Sequence, residues 1–278
     1  MNRASPLAAL YAALLVYALV SLSPFAWMVI TSFKQPGDLF RLPPTLVPSM
    51  LLTEQPFANY AKVLLERDFL RFFLNSAFVS LTTALGQVLT CSLAGYAFAR
   101  LPLKGKNVLF AAILATAFVP TEVIIIPEFL LMRWFGWMDS FLPLIVPSFL
   151  VGSFGTFMMR EYFAALPDEF AEAARIDGAG PFQIFWQIYL PLAQPALVSV
   201  FVVAFINNWD ELLRPILYLN SPELYTVPRG LMSLVSEYGA EWTLFMAGSV
   251  ISTLPLVLVY VLAQRHVLQG FMAGGVKG

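Results

Sequence analysis

Charge is the scarcest property of this chain. Asp, Glu, Lys and Arg make up 12% of its 278 residues, where a soluble domain carries about a quarter. That shortage excludes an ordinary soluble globular domain. Cysteine and histidine are nearly missing: Cys91 and His266 are the single examples of each. One cysteine cannot close an internal disulfide, and one Cys with one His cannot supply the usual zinc ligand set, so no metal site is expected. A membrane-embedded enzyme would need a nucleophile–base pair or a metal set inside the spans. With the sole histidine close to the C-terminus, no catalytic residue is assigned. The net charge of -1 gives no general attraction for nucleic acid. No Walker A sequence is present, so ATP binding by this chain is not expected.

What is present is apolar. Hydrophobic residues make up 59% of the chain, and the mean hydropathy is +0.76. An all-α integral membrane protein follows. A spanning helix needs about 20 mostly apolar residues, and six stretches qualify: 7–33, 72–98, 108–131, 141–159, 195–219 and 244–263. The first lacks a small-residue cleavage site after a short apolar core, so it reads as an uncleaved span. Pro120 and Pro127 interrupt the third and predict a bend or a shortening. The 25 Phe residues read as lipid-facing and helix-packing material, not as a cofactor box. Cys91 reads as a small buried residue and His266 as a residue near the membrane edge.

The connections set the expected topology. The long loop 34–71 is rich in proline, and its last part, "NYAKVLLERDFLRFFLNS", has apolar residues at helical spacing with charges between. It predicts an amphipathic helix at the membrane surface. Six spans put both termini on one side. That side holds Arg3, Arg100, Lys104, Lys106, Arg160, Arg175, Arg265 and Lys277, half of the 16 basic residues. The total is a tie, but the rule weighs short connections next to spans most heavily. There "RLPLKGK" outweighs the lone Arg133 and Arg229. Both termini are therefore expected in the cytoplasm, with loop 34–71 outside and loop 160–194 inside.

Loop 160–194 is the charged exception in an oily chain. "LPDEFAEAARIDG" has helix signals: Pro167 suits a first helical position, Asp168 and Glu169 complement the positive helix start, and Gly178 fits a left-handed stop. A second helix restarts at Pro181 and runs to Pro191. Phe170, Ala173, Ala174 and Ile176 form a small apolar face beside Glu172, a knob that a groove in a soluble partner can receive. The spacing is specific: Glu172-Ala173-Ala174, three residues, Gly178, nine residues, then Ile188-Tyr189-Leu190-Pro191. In this pattern the chain resembles the signature loop of ABC-importer permeases. "LNSAFVS" from Leu74, "LAGYAFARL" from Leu93, "NNWDELLRPILYL" from Asn207 and the terminal "QGFMAGGVKG" look like the six-span permease subunit of the maltose-type carbohydrate subclass. The resemblance covers nearly the whole chain and is weakest over 39–56.

It implies one transmembrane permease domain over 1–278 in a bacterial or archaeal plasma membrane. It also implies an importer built with a second, different permease subunit, two ATPase subunits and an extracytoplasmic substrate-binding protein. ATP and Mg would be held by the ATPases, with no cofactor on this chain. Glu172, Ala173, Ala174, Gly178, Ile188, Leu190 and Pro191 would couple to the ATPase. Gln269, Gly270 and Lys277 would bring the tail to the ATPase interface. A glycerol-phosphate or polyol importer shares these motifs. An ion-coupled secondary transporter would favour internal repeats with broken helices, and no convincing repeat is visible.

Polar residues inside the spans should face protein or a water-filled path, since each charge costs about 2.5–3.5 kcal/mol at a helix centre. Asn207, Asn208, Trp209 and Glu122 are the candidates for a substrate path. Each also has a plainer reading. Asn207 and Asn208 suit interhelical hydrogen bonds, Trp209 an interfacial anchor, and Glu122 and Glu128 support of the kinked third span. Asp210 and Arg214 stand at i, i+4 spacing and predict an ion pair.

Overall fold

The protein is described by a computed structural model, which covers residues 4–43, 45–150, 152–236 and 239–275. The helices in chain order are α1 (Ala4–Ser32), α2 (Ala58–Glu66), α3 (Phe69–Arg100), α4 (Lys106–Thr116), α5 (Thr121–Trp134), α6 (Leu142–Phe149), α7 (Ser153–Ala165), α8 (Glu169–Ile176) and α9 (Pro181–Ile184). A π-helical turn over Phe185–Tyr189 leads into α10 (Leu190–Leu192). Then follow α11 (Gln194–Trp209), α12 (Leu213–Tyr218), α13 (Val227–Ser233) and α14 (Trp242–Gly275). A two-residue antiparallel ladder, β1 (Val235–Ser236) with β2 (Gly239–Ala240), is the one addition to an otherwise all-α architecture among the described residues.

Four helical segments are long and apolar enough to cross a membrane: Leu7–Ser32, Phe69–Arg100, Leu142–Ala165 and Trp242–His266. Two bent pairs reach the same standard when taken together. They are α4 with α5, bent by 98°, and Pro181–Leu192 with α11, bent by 79°. The chain is therefore a multi-span membrane protein with four to six crossing segments. In α1, apolar side chains such as Leu7, Leu14 and Tyr17 are exposed all round the helix, the pattern of a helix that faces lipid.

Several expected boundaries shift, each for a local reason. The third stretch is two helices, not one. The chain leaves the helix after Thr116 and restarts at Thr121, because Pro120 removes a donor and restricts the residue before it. Pro127 lies inside α5 without ending it. The fourth stretch is interrupted between Phe149 and Ser153. The fifth ends its long helix at Trp209, and α12 begins only at Leu213. The expected surface helix stops at Glu66. Asp68 then takes a positive φ of 53°, and "FLRFFLNS" opens α3. The glycine-bearing tail continues α14 as helix to Gly275.

Contacts divide the chain into two compact units: unit 1, Met1–Leu70 with Gly230–Leu254, and unit 2, Arg71–Arg229 with Pro255–Gly278. Unit 1 buries Met50, Val63, Phe69, Leu234, Leu244 and Ala247. Helices leave their last carbonyls without intrahelical partners. At the end of α1, Asn59 Nδ2 donates to the carbonyls of Ser32 and Lys34 at 2.8 and 2.9 Å. The Ser32 hydroxyl pairs with Tyr60 OH at 2.6 Å. The rings of Phe33, Phe57 and Tyr60 pack around this joint.

Unit 2 is built around α3 and α7. Gly95 lets them approach closely: a Cβ there would lie 2.6 Å from Met159 Cβ and 2.8 Å from the Arg160 backbone nitrogen. The core at this end contains Cys91, Tyr96, Met159, Phe163, Phe185 and Tyr189.

Candidate functional site

The charged stretch 160–194 is a helix–turn–helix fixed from below. Its anchor is Arg100, the last residue of α3. The guanidinium donates to the carbonyls of Phe163 and Leu166 at the end of α7, the first of which also accepts from Leu166 N–H. It also pairs with the carboxylate of Asp168, the residue before α8. The same guanidinium lies 5.0 Å from the centre of the Tyr189 ring, within cation–π range. One side chain thus holds the end of α7, the start of α8 and the π-helical turn. Tyr96 OH donates to the Pro181 carbonyl at 3.0 Å and fixes the start of α9.

α8 begins at Glu169, so Pro167 lies two residues ahead of the helix and not at its first position. The helix ends in a Schellman arrangement. Gly178 N–H donates to Arg175 O at 3.0 Å and Ala179 N–H to Ala174 O at 2.9 Å. Gly178 has φ +83°, and a Cβ there would meet nothing within 4 Å. The glycine is required by backbone conformation alone. α9 restarts with Pro181 at its first turn.

The expected apolar face of α8 is corrected at one position. Ala171 and Ala174 turn inward, 5% and 9% exposed, into the cluster of Tyr96, Phe163 and Phe185. Phe170, Ala173 and Ile176, one helical step apart, point outward, with Ile176 87% exposed. Glu172 is exposed beside them. Ile188 and Leu190 are half-buried against the core, and Pro191 is exposed.

The π-helical turn just before Pro191 is absent from any sequence expectation. Leu190 N–H reaches back to Phe185 O, five residues earlier. A proline clashes with the carbonyl four residues before it, and the wider turn gives that carbonyl room. The signal available was Pro191 following an uninterrupted helical pattern. This turn leaves Phe182 and Trp186 exposed and stacked, with ring centres 6.3 Å apart.

A second polar group lies at the break between α11 and α12. Arg214 donates Nε and Nη2 to the two oxygens of Glu128 at 2.9 and 3.1 Å, a bidentate pair. Tyr218 OH also donates to Glu128 at 3.1 Å. Glu211 caps α12 by accepting from the backbone N–H of Leu213 and Arg214, and takes Arg214 Nη1 at 3.3 Å. The expected Asp210–Arg214 pair does not form, because Asp210 caps the end of α11 and the helical register between the two is lost. A small cleft here is lined by Ser148, Asn208, Glu211, Arg214 and Thr226 together with apolar residues.

The remaining expected residues are dispersed. Asn208 Nδ2 donates to Ala204 O in its own helix at 2.8 Å, so the interhelical bond expected of it is not made through that nitrogen. Asn207 is exposed. Trp209 is 2% exposed, stacked on Phe205 and edge-on to Phe73 at 5.6 and 5.3 Å. Glu122 is exposed in the first turn of α5. Gln269 and Gly270 lie in the helical backbone of α14, and Lys277 lies outside the described residues. Among the described residues, no group of three or more His, Cys, Asp or Glu could hold a metal ion.

Comparison with known proteins gives this architecture a family. Residues 68–272 match the family described as "Binding-protein-dependent transport system inner membrane component". The chain is 32% identical over 264 residues to the arabinooligosaccharides transport system permease protein AraQ of Halalkalibacterium halodurans, covering 94% of this chain and 93% of that one. It is 32% identical over 267 residues to the lactose transport system permease protein LacG of Rhizobium radiobacter, covering 96% and 95%. The sn-glycerol-3-phosphate transport system permease protein UgpE of Yersinia pestis is 31% identical over 265 residues, covering 93% of each chain. Among solved structures, a chain of a bacterial ABC transporter involved in the import of the acidic polysaccharide alginate superposes with a TM-score of 0.82 at 25% identity, covering 95% of this chain and 98% of that one. With its family matched over most of its length, the chain belongs to the inner membrane components of binding-protein-dependent transport systems, as a permease subunit of an ABC importer.

Proposed function

We propose that this chain is the six-span subunit of a heterodimeric permease of the maltose-type subclass, which imports a carbohydrate. The observation that carries the reading is the knob on α8. Phe170, Ala173 and Ile176 form an exposed apolar face beside Glu172, held by Arg100 below and by the positive-φ Gly178 at its end. The knob docks into a groove on a partner ATPase, and Ala173 is small so that the helix can enter. Glu172 accepts charge-assisted bonds from a basic residue on that partner. Ala174, Ile188, Leu190 and Pro191 act beneath the knob, joining it to the core and to α11.

ATP-driven closure of the ATPase pair then moves 160–194 as one piece and shifts the permease between outward and inward access. Both termini lie in the cytoplasm, and loop 34–71 lies outside, where a binding protein delivers substrate. The C-terminal stretch from Gln269 continues α14 toward the ATPases. Carbohydrate as substrate is supported by relatives named for arabinooligosaccharides and lactose. Glycerol phosphate stands as the second reading, through the relative named for it. The polar cleft beside Asn208 is the candidate stretch of path in this subunit, with Asn207 next to it in sequence and Glu122 a separate candidate, exposed in the first turn of α5. Trp209 acts there as packing, given its burial.

The test is purification of the tagged chain from its own membranes in mild detergent, followed by uptake in proteoliposomes. A second permease and an ATPase should co-purify, and ATP-dependent uptake of labelled arabinotriose or lactose should exceed that of glycerol 3-phosphate. A chain that purifies alone and drives uptake on an ion gradient would overturn the reading.

A further inference from the structure

Unit 1 contains a hollow that the coupling scheme does not use. It has a volume of about 290 Å³ and is lined chiefly by Phe40, Asn59, Lys62, Glu241, Trp242 and Thr243. That is close to the lower end of small-molecule sites, which span roughly 300–1,000 Å³. Three separate pieces of chain meet there: the segment after α1, the helix α2 and the first turn of α14.

The wall offers two kinds of surface. Trp242 packs edge-on against Phe245, with ring centres 5.9 Å apart, and is still 38% exposed. Phe40 is 80% exposed. The same wall carries polar groups with capacity to spare. Asn59 uses its Nδ2 on the Ser32 and Lys34 carbonyls. Among the described residues nothing donates to its Oδ1, although the residue is 6% exposed. Glu241 engages Arg67 through Oε1 at 2.6 Å, and no described residue donates to its Oε2. Lys62 is exposed and has no carboxylate partner among the described residues. The site therefore presents aromatic faces, acceptors and a cationic donor within one small space.

That combination fits the chemistry of a sugar ring. One face of a pyranose or furanose carries C–H groups that lie against an aromatic face, and its hydroxyls both donate and accept. A hydrocarbon chain would leave Asn59 and Lys62 without partners. A free phosphate would make no use of Trp242. We propose that unit 1 carries a saccharide subsite, with Trp242 as the stacking platform and Asn59, Lys62 and Glu241 as hydroxyl partners. The inference rests on the carbohydrate-importer reading, under which this hollow faces the side of substrate delivery. The wall is pre-organised: the Asn59 bonds tie α2 to the end of α1, and the Arg67–Glu241 pair ties α2 to the start of α14.

The experiment is saturation-transfer NMR on the assembled importer in lipid nanodiscs, without its binding protein. The probes are arabinotriose, lactose and a mannuronate disaccharide, with glycerol 3-phosphate for comparison. At least one saccharide should give a signal, weakened at least fivefold in both Trp242→Ala and Lys62→Gln. Lys62→Gln alters an exposed residue and keeps the fold. Ala173→Trp, in the α8 knob, should keep the saccharide signal while losing coupled ATP hydrolysis. If Ala173→Trp keeps full coupling, the coupling reading fails and the subsite stands. Absence of signal from all three saccharides overturns the subsite. So does a signal unchanged in both unit 1 variants.

Discussion

Arg214 satisfies two carboxylates, and Asp210, four residues before it, is not one of them. Glu128 lies 86 residues away in sequence, so no local spacing could reveal the pair. The i, i+4 rule pointed to Asp210 because it assumes an unbroken helix, and the chain is not helical over 210–212. Removing the Glu128 charge weakens the bidentate half of this arrangement while Glu211 stays at 3.3 Å from Arg214, so the loss is that of hydrogen bonds to a charged group, about 1.5–3 kcal/mol. Glu128→Gln should therefore lower the thermal stability of the detergent-solubilised protein strongly. Glu122→Gln, at an exposed position, should change it little. Equal effects would mean that the Arg214 pair does not hold α5 to α12.

Trp209 belongs to the same scale. Its type and position suit a sugar platform as well as they suit packing, and only its burial between Phe73 and Phe205 separates the two. Large-to-small substitution of such a residue costs about 3–5 kcal/mol. Trp209→Ala should reduce stability and yield of the assembled permease, measured by melting and size exclusion. Uptake per assembled complex should fall much less.

At the scale of elements, hydropathy located the apolar runs but not their breaks. The 98° bend after α4 and the interruption between α6 and α7 depend on one or two residues in each run. Averaging over a window of about 20 residues hides them. The end of α8 and the start of α9 were readable because Gly178 and Pro181 mark them. The side of α8 that turns inward was not readable, because alanines lie on both sides and only the Tyr96–Phe163–Phe185 cluster decides which are buried. The contact of α3 with α7 is set by Gly95. Gly95→Ala should separate the two helices and, as an overpacking change, cost about 1–3 kcal/mol, read as a lower melting temperature.

The loop after α5 carries a pH dependence. Asp139 accepts from the Asn220 and Ser221 backbone N–H groups and from the Ser221 hydroxyl. The Ser221 hydroxyl first, and then the two backbone groups, hold its carboxyl below the usual aspartate range. A depressed folded value means that these bonds contribute fully above the unfolded value of about 3.9. Their contribution is lost as pH falls through the lower folded value. Protection of the Asn220 and Ser221 amides, measured relative to their intrinsic exchange rates at each pH, should fall on acidification, and Asp139→Asn should remove that acid-specific step. Protection that falls equally in the variant would assign the effect to another group.

At the scale of the whole molecule, composition alone was enough for a membrane protein. The family could be read because its motif combines residue types whose physical needs are unusual in such a chain: an exposed small-residue helix, a positive-φ glycine and a proline-marked restart. The hollow in unit 1 could not be read, since its wall joins residues 36–40, 59–62 and 241–244, stretches that no spacing rule connects. Nor could the anchoring of the α8 knob, which depends on Arg100, more than 60 residues before it. The chain is a permease subunit of an ABC importer. Its proposed link to ATP is mechanical and runs through that knob.

The most direct measurement is ATPase retention and substrate-stimulated hydrolysis in the reconstituted importer, with Ala173→Trp and Gly178→Val compared with the unaltered chain. Ala173→Trp fills the presented face. Gly178→Val meets no neighbour but opposes φ +83° by about 1–2 kcal/mol. Both should insert and assemble as permease pairs yet lose most coupled hydrolysis, by tenfold or more, while Glu172→Ala loses less. Full ATPase retention and full coupling in both variants would contradict the coupling role of 160–194.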